Sequence, residues 1–278
     1  MFKNKKIVFS VMILFLLGMA GYVTMNNQTS PDGETPTITT GLSNTKQGWG
    51  LKPNDSHRQP EMPSEINDTL KKYDAYWIGS PKKKIVYLTF DEGYEKGYTA
   101  KILDALKANN VKAAFFVTGH YLKTQPDLVK RMVKEGHIVA NHTDTHPSMP
   151  DVSDEQIKKE LQAVEKLYKE VTGKKDMRYL RPPKGEYSER TLALTRELGY
   201  YNIFWSMALV DWVPMPGGPE ESYRSVMDNL HNGAIILLHA VSEDNANAMD
   251  RILKGVKAQG YTFGTLDDLV KPVKTPLH

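Results

Sequence analysis

Apolar positions follow two rhythms along this 278-residue chain. Ile85-Val86-Tyr87-Leu88-Thr89-Phe90 is a near-continuous apolar run, the pattern of a strand buried on both faces. Shorter strands are predicted over 113–117, 137–141, 179–181, 202–205, 234–239 and 261–263. Between them, apolar residues recur every three or four positions and predict helices. These cover 99–109, 126–135 (stopped by Gly136), 188–198 (closed by Gly199), 223–229, and 245–259 (closed by Gly260). Ser153 opens the longest helix, with Gln156 expected to complete a capping box. Ile157, Leu161, Val164, Leu167 and Val171 form its stripe and Gly173 its end. Upstream, Ile66, Leu70 and Tyr73 predict a short helix over 66–76.

Strands alternating with helices predict an α/β fold with a parallel sheet and crossover helices. The first strand ends in Asp91-Glu92-Gly93-Tyr94, with no glycine-rich phosphate loop, which argues against a dinucleotide-binding fold. A distorted (β/α) barrel is the expected architecture. In that architecture the functional residues gather at the C-terminal ends of the strands.

The N-terminus breaks this pattern. Lys3, Lys5 and Lys6 precede an apolar run from Ile7 to Val23, and Gly18-Met19-Ala20 offers small residues for a cleavage site. The run also sits at the short edge of what crosses a bilayer. Residues 1–25 are therefore expected to be a signal peptide or a membrane anchor, with the rest of the chain exported. Residues 26–65 are polar and read as a linker or arm, in which Trp49 and Leu51 are apolar exceptions expected to dock. Residues 66–278 are the expected catalytic domain. The formal charge of +3 equals the contribution of those three lysines. Without them the chain is neutral, which argues against a nucleic-acid partner. Membrane contact is expected only through an uncleaved N-terminal segment. The absence of cysteine excludes disulfides, thiolate metal sites and an acylated-cysteine anchor.

Chemistry-bearing residues collect at predicted strand ends. Asp91 and Glu92 follow the first strand, and His142 and His146 follow the strand ending near Asn141. Arg181, the Asp211-Trp212 pair and His239 follow three others. A parallel barrel brings such positions to one rim. His142-Thr143-Asp144-Thr145-His146 is an H-x-x-x-H pair, which on a helical turn puts both imidazoles on one face. Thr143 stands where a zinc protease needs Glu. Taken alone the pair also fits capping or core histidines; a carboxylate from Asp91-Glu92 strengthens a metal reading.

Thr89-Phe90-Asp91-Glu92-Gly93 resembles the first motif of the polysaccharide deacetylases, carbohydrate esterase family four or the NodB homology domain. His142 to His146 resembles the second motif, and Arg181-Pro182-Pro183-Lys184-Gly185 the third. Asp211-Trp212 resembles the fourth and Leu237-Leu238-His239 the fifth. The resemblance spans about Lys83 to Leu269, in the family's order. Asp91 to Thr99, Arg181 to Arg190 and His239 to Asn245 are most similar to the sporulation-type muramic acid deacetylases that make the δ-lactam of spore cortex.

The resemblance implies metal-dependent hydrolysis of N-acetyl groups on peptidoglycan glycan strands. It makes Asp91 the general base and His239 the general acid. His142 and His146 would bind a divalent ion with Glu92 in the third place: zinc, with cobalt, nickel or manganese also compatible. Arg181 would orient Asp91, and Asp211 would set the charge and tilt of His239. Trp212 and Leu237 would wall the acetyl pocket, and Tyr94 and Lys184 would contact substrate. The backbone N–H of Lys184 is the expected oxyanion donor.

Two residues depart from the family pattern. Glu92 stands where the family usually has a second Asp. Lys184 replaces a frequent aromatic, which suggests a negatively charged substrate. An N-acetylglucosamine or chitin-oligomer deacetylase, and a glycan binder with a degraded metal site, remain open as alternatives. Trp205 is read as core, and His57, His120, His137, His231 and His278 are given no role.

Overall fold

The computed structural model describes residues 39–52 and 56–270. The expected signal or anchor segment, residues 1–25, lies outside them, as do 26–38 and 271–278. In chain order the described residues begin with β1 (Gln47–Gly48), α1 (Ser64–Lys72), β2 (Ala75–Tyr76) and β3 (Ile85–Glu92). Then come α2 (Thr99–Ala108), β4 (Ala114–Val117), α3 (Gly119–Thr124), α4 (Pro126–Lys134) and β5 (Ile138–Asn141). The middle of the chain holds α5 (Asp154–Thr172), β6 (Tyr179–Leu180), β7 (Glu186–Tyr187), α6 (Glu189–Glu197), β8 (Tyr201–Ile203) and β9 (Met207–Ala208). Last are α7 (Gly218–Asn229), β10 (Ile235–His239), α8 (Glu243–Ala258), β11 (Thr262–Gly264) and α9 (Leu266–Leu269).

The main sheet runs β2-β8-β6-β5-β4-β3-β10-β9, with β11 added on β3, and its ladders are parallel. It is a curled half-barrel, as the alternation predicts. Side-chain alternation divides β3 between two environments. Val86, Leu88 and Phe90 pack into the layer between sheet and helices, with Ile102, Leu106, Leu161 and Leu253. Tyr87 belongs to a second cluster inside the curl, with Phe116, Ala140, Tyr179 and Ile203. Among the described residues no ladder joins the two outer strands; a short run of chain does. After β8, Phe204 N–H donates to the Tyr76 carbonyl (2.8 Å), and Ser206 N–H donates to the Ile235 carbonyl (3.0 Å). Gly233 fits against Gly79 at the same closure, where a Cβ would lie 2.5 Å from the Gly79 carbonyl carbon.

Two local expectations are corrected. The helix expected over 66–76 ends at Lys72, and Ala75–Tyr76 extends instead to pair with β8. Ser153 accepts from the Gln156 N–H (3.2 Å), but the Gln156 amide turns to Glu160 (3.0 Å), so that capping box is half made. Complete boxes occur at α9, between Thr265 and Asp268, and at α6, where Ser188 Oγ accepts from Thr191 N–H and Thr191 Oγ1 from Ser188 N–H. Ser188 Oγ also donates to Asn44 Oδ1 (2.9 Å). Ser188→Ala is expected to cost about 1–2 kcal/mol of unfolding free energy. A urea midpoint lowered at unchanged slope checks this; an unmoved midpoint would show that the cap contributes nothing.

Candidate functional site

Alternation that sends Phe90 outward sends Thr89 and Asp91 inward. Arg181, just past β6, reaches them from across the curl. Its side chain has no solvent exposure. It donates to Asp91 Oδ1 (2.7 Å), Thr89 Oγ1 (2.9 Å), and the carbonyls of Ile203 (2.9 Å) and Phe204 (3.4 Å). Its guanidinium lies 4.2 Å from the Phe116 ring centre. A buried guanidinium is tolerated only with such partners. Burial acts to raise the Asp91 pKa, but Arg181, His142 and His239 outweigh it and hold the carboxyl below its ordinary value.

The β3–β10 ladder sets His239 directly beside Asp91. Asp211, itself buried, grips His239 twice. Its Oδ1 accepts from His239 Nδ1 (2.6 Å) and its Oδ2 from His239 backbone N–H (2.8 Å). Burial alone would lower the His239 pKa; the hydrogen bond and charge of Asp211, with Asp91, raise it above 6.5. Asn245 braces this pair by donating to Asp211 Oδ2 and to the His239 carbonyl (3.2 Å) while accepting from Ser222 (2.7 Å). The Trp212 ring meets His239 edge-on at 5.4 Å.

His142 and His146 do meet, though not on a helix. They lie in the loop after β5, in which Thr143 (φ 65°) and His146 (φ 59°) adopt left-handed backbone. Glu160 of α5 ties this loop down by accepting from the Thr145 N–H and hydroxyl, each at 2.7 Å. His142 Nδ1 donates to the Arg181 carbonyl (2.8 Å), which leaves its Nε2 bare. That atom is 3.1 Å from His146 Nε2 and 3.6 Å from Asp91 Oδ2. Burial lowers the pKa of both histidines, that of His146 to about 4. Two neutral imidazoles aimed at one point, one oriented by a carbonyl, fit a divalent ion.

Glu92 does not join them. Its register partners Val117 and Asn141 carry it on the face opposite Asp91. It is fully buried, and neither carboxylate oxygen has a hydrogen-bond partner. Burial first, then Glu95 and Asp91, push its pKa well above the ordinary carboxylate value. In this structure Asp91 and Glu92 face opposite sides of β3, so Glu92 stands apart from the paired histidines and does not fill the expected third ligand place. Among the described residues no group of three His, Cys, Asp or Glu forms a metal cluster.

One cavity of about 760 Å³ gathers the rest. Asp91, His142, His146, Lys184, Leu237 and His239 line it, with Tyr94 and Trp212 half-exposed at its mouth. Lys184 sits in left-handed backbone (φ 59°). Trp205, expected in the core, lines this cavity as well. So does His120, which was given no role from the sequence, and so do Thr118, Asp144 and Thr145, to which the sequence assigned none. Their signal is topological: Thr118 and His120 follow the C-terminal end of β4, and Asp144 and Thr145 lie between the paired histidines. Asn245 gave no such signal beyond its place in the last stretch of resemblance. Of the other histidines, His137 and His231 are buried and His57 bonds the Leu230 carbonyl (2.7 Å).

Residues 78–203 match the family model for polysaccharide deacetylase. The chain is 47% identical to peptidoglycan-N-acetylmuramic acid deacetylase PdaA of Bacillus subtilis strain 168, covering 82% of this chain and 88% of that protein. This chain belongs to the polysaccharide deacetylase family. The solved structure of B. subtilis PdaA, described as a family 4 carbohydrate esterase, superposes with a TM-score of 0.79 at 46% identity, covering 82% of this chain and 98% of that one. A peptidoglycan-N-acetylglucosamine deacetylase of Bacillus cereus is 32% identical, over 74% of this chain and 75% of its own length.

The placement of Glu92 in this deacetylase has a measurable consequence. Glu92→Gln replaces a carboxyl held neutral by burial with a neutral group of the same shape, so activity and bound metal should persist. Because its folded pKa is raised, the native Glu92 contribution to stability is full below the ordinary carboxylate pKa and is lost as pH rises above it. The Gln variant should lack that loss. Denaturation midpoints across pH, with metal analysis, test both points; loss of metal in Glu92→Gln would return Glu92 to the ligand set.

Proposed function

We propose that this deacetylase is exported and removes the acetyl group from N-acetylmuramic acid in peptidoglycan. This frees the amine that the muramic δ-lactam of spore cortex requires. The observation that carries the reading is the pair facing one cavity: Asp91, bonded to Arg181, which lowers its pKa, beside His239, bonded to Asp211, which raises its pKa. Similarity to a muramic acid deacetylase over most of the chain supports the choice of sugar.

In this reading Asp91 takes a proton from the attacking water and His239 gives one to the leaving amine. Arg181 fixes the Asp91 oxygens, and Asp211 fixes the tilt of His239. His142 and His146 would hold a divalent ion, with zinc the first choice, and when bound it would supply Lewis-acid polarisation of the acetyl carbonyl and of the attacking water. Leu237 and Trp212 enclose the acetyl methyl and limit water, Tyr94 contacts the sugar, and the Lys184 N–H receives the developing oxyanion.

Lys184 is the reader of the muramic acid. The lactyl ether at O3 lies next to the acetamide and ends in a carboxylate when no peptide is attached. An ammonium near that carboxylate gains a charge-assisted contact of roughly 1.5–3 kcal/mol in a partly dry cleft. Mass spectrometry of muropeptides should therefore show acetyl loss on muramic acid after incubation with the enzyme. Lys184→Met should lower kcat/KM on peptide-free muramic glycan by about one to two decades and leave N-acetylglucosamine oligomers little changed. Acetyl loss confined to glucosamine would overturn the muramic reading, and no acetate from either glycan would favour a binder.

A further inference from the structure

Trp49 lies in the polar arm, outside the segment matched by the family model, and does not line the cavity. Yet it is built into the back of the site's wall. Strand β1 pairs antiparallel with β7, setting Gln47 against Tyr187 and Gly48 against Glu186. Trp49 then continues the contact, its N–H donating to the Gly185 carbonyl (2.9 Å). Its indole Nε1–H donates to the Trp205 carbonyl (3.0 Å). Its ring stacks on Phe204 with centroids 4.4 Å apart and planes 26° apart.

Each group that Trp49 holds is connected to the cavity. Gly185 follows Lys184, and both have positive φ (65° and 59°), a turn of little intrinsic stability for the lysine. A Cβ on Gly185 would lie 2.7 Å from Trp49 Cβ and 2.8 Å from the Trp205 ring, so loop, arm and cavity wall are packed without slack. Phe204 and Ile203 supply the carbonyls that accept from Arg181, the partner of Asp91. The arm is anchored on its far side too. Asn44 donates to the Pro150 carbonyl (2.9 Å) and accepts from Arg190 (2.9 Å), and Lys46 pairs with Asp151.

We infer that Trp49 is a positioning residue for deacetylation, fixing the Lys184-Gly185 turn and Trp205 from behind. The inference rests on the deacetylase reading of the cavity. Its action is indirect: with Trp49 gone, the turn and the 203–205 carbonyls lose their common support, and the catalytic geometry loosens.

The test uses the whole enzyme with Trp49→Ala and Trp49→Phe, at a temperature where circular dichroism shows the native fold. Hydrogen–deuterium exchange over 182–188 should rise in Trp49→Ala, while exchange over 235–239 stays unchanged. On peptide-free muramic glycan, kcat should fall by about one to two decades, the scale of a small misplacement of reacting groups, with KM little changed. Trp49→Phe keeps the stack and loses one N–H bond, so it should recover most of kcat, falling only about threefold. If Trp49→Ala does not fold, faster exchange over 182–188 together with that smaller loss in Trp49→Phe carries the inference. Unchanged exchange over 182–188, or a loss confined to KM, would overturn it. If the unsubstituted enzyme releases no acetate, the functional reading fails, and the exchange data still decide whether Trp49 holds the loop.

Discussion

The buried Arg181–Asp91 ion pair is the constraint that the rest of the site answers to. A guanidinium with no exposed surface needs its donors satisfied, and here a carboxylate, a hydroxyl and two carbonyls satisfy them. Those partners belong to β3, to the end of β8 and to Phe204 in the segment that closes the curl. Arg181 therefore fastens the middle of the sheet to its edge. The same contact keeps Asp91 charged in a place where burial alone would neutralise it. Its own carbonyl orients His142. One side chain and its backbone thus touch the proposed base, the proposed metal pair and the fold closure.

Register carries the rest. Parallel ladders put His239 beside Asp91 and bring the loops after β5 and β6 to the same rim. Much of this was legible in the sequence because the apolar strand runs are distinct and each ends in a chemistry-bearing residue. Asp91, Arg181, Asp211 and His239 line up by topology alone, before any side-chain geometry is considered. The α/β alternation and most helix bounds follow from the 3.6-residue rhythm and from glycines at helix ends.

The parts that were not legible have physical causes. Glu92 was read with Asp91 as one acidic pair, but period-two alternation turns it into the layer under the helices. The two histidines meet through left-handed backbone at Thr143 and His146, which spacing does not reveal, although spacing did suggest that they meet. Trp205 was read as core because it sits inside the apolar run 202–205, and it does pack on the inner cluster; but β8 ends at Ile203, and where the chain crosses to the other sheet edge the ring also reaches the cavity. The docking of Trp49 was legible from its apolar character in a polar arm, but the groups it meets were not, because Phe204 and Trp205 lie more than a hundred residues away.

In the proposed mechanism His239 is the acid, its pKa raised by Asp211, and Asp91 is the base, its pKa lowered by Arg181. The most direct test is the pH dependence of kcat/KM for acetate release, in the enzyme and in Asp211→Asn. Burial lowers the His239 pKa and Asp211 raises it, with the net value above 6.5. Activity needing protonated His239 is retained below that pKa and lost as pH rises through it. Removing the Asp211 charge leaves burial dominant, so the alkaline limb should move to lower pH as turnover falls. An alkaline limb that stays in place in Asp211→Asn would contradict the account.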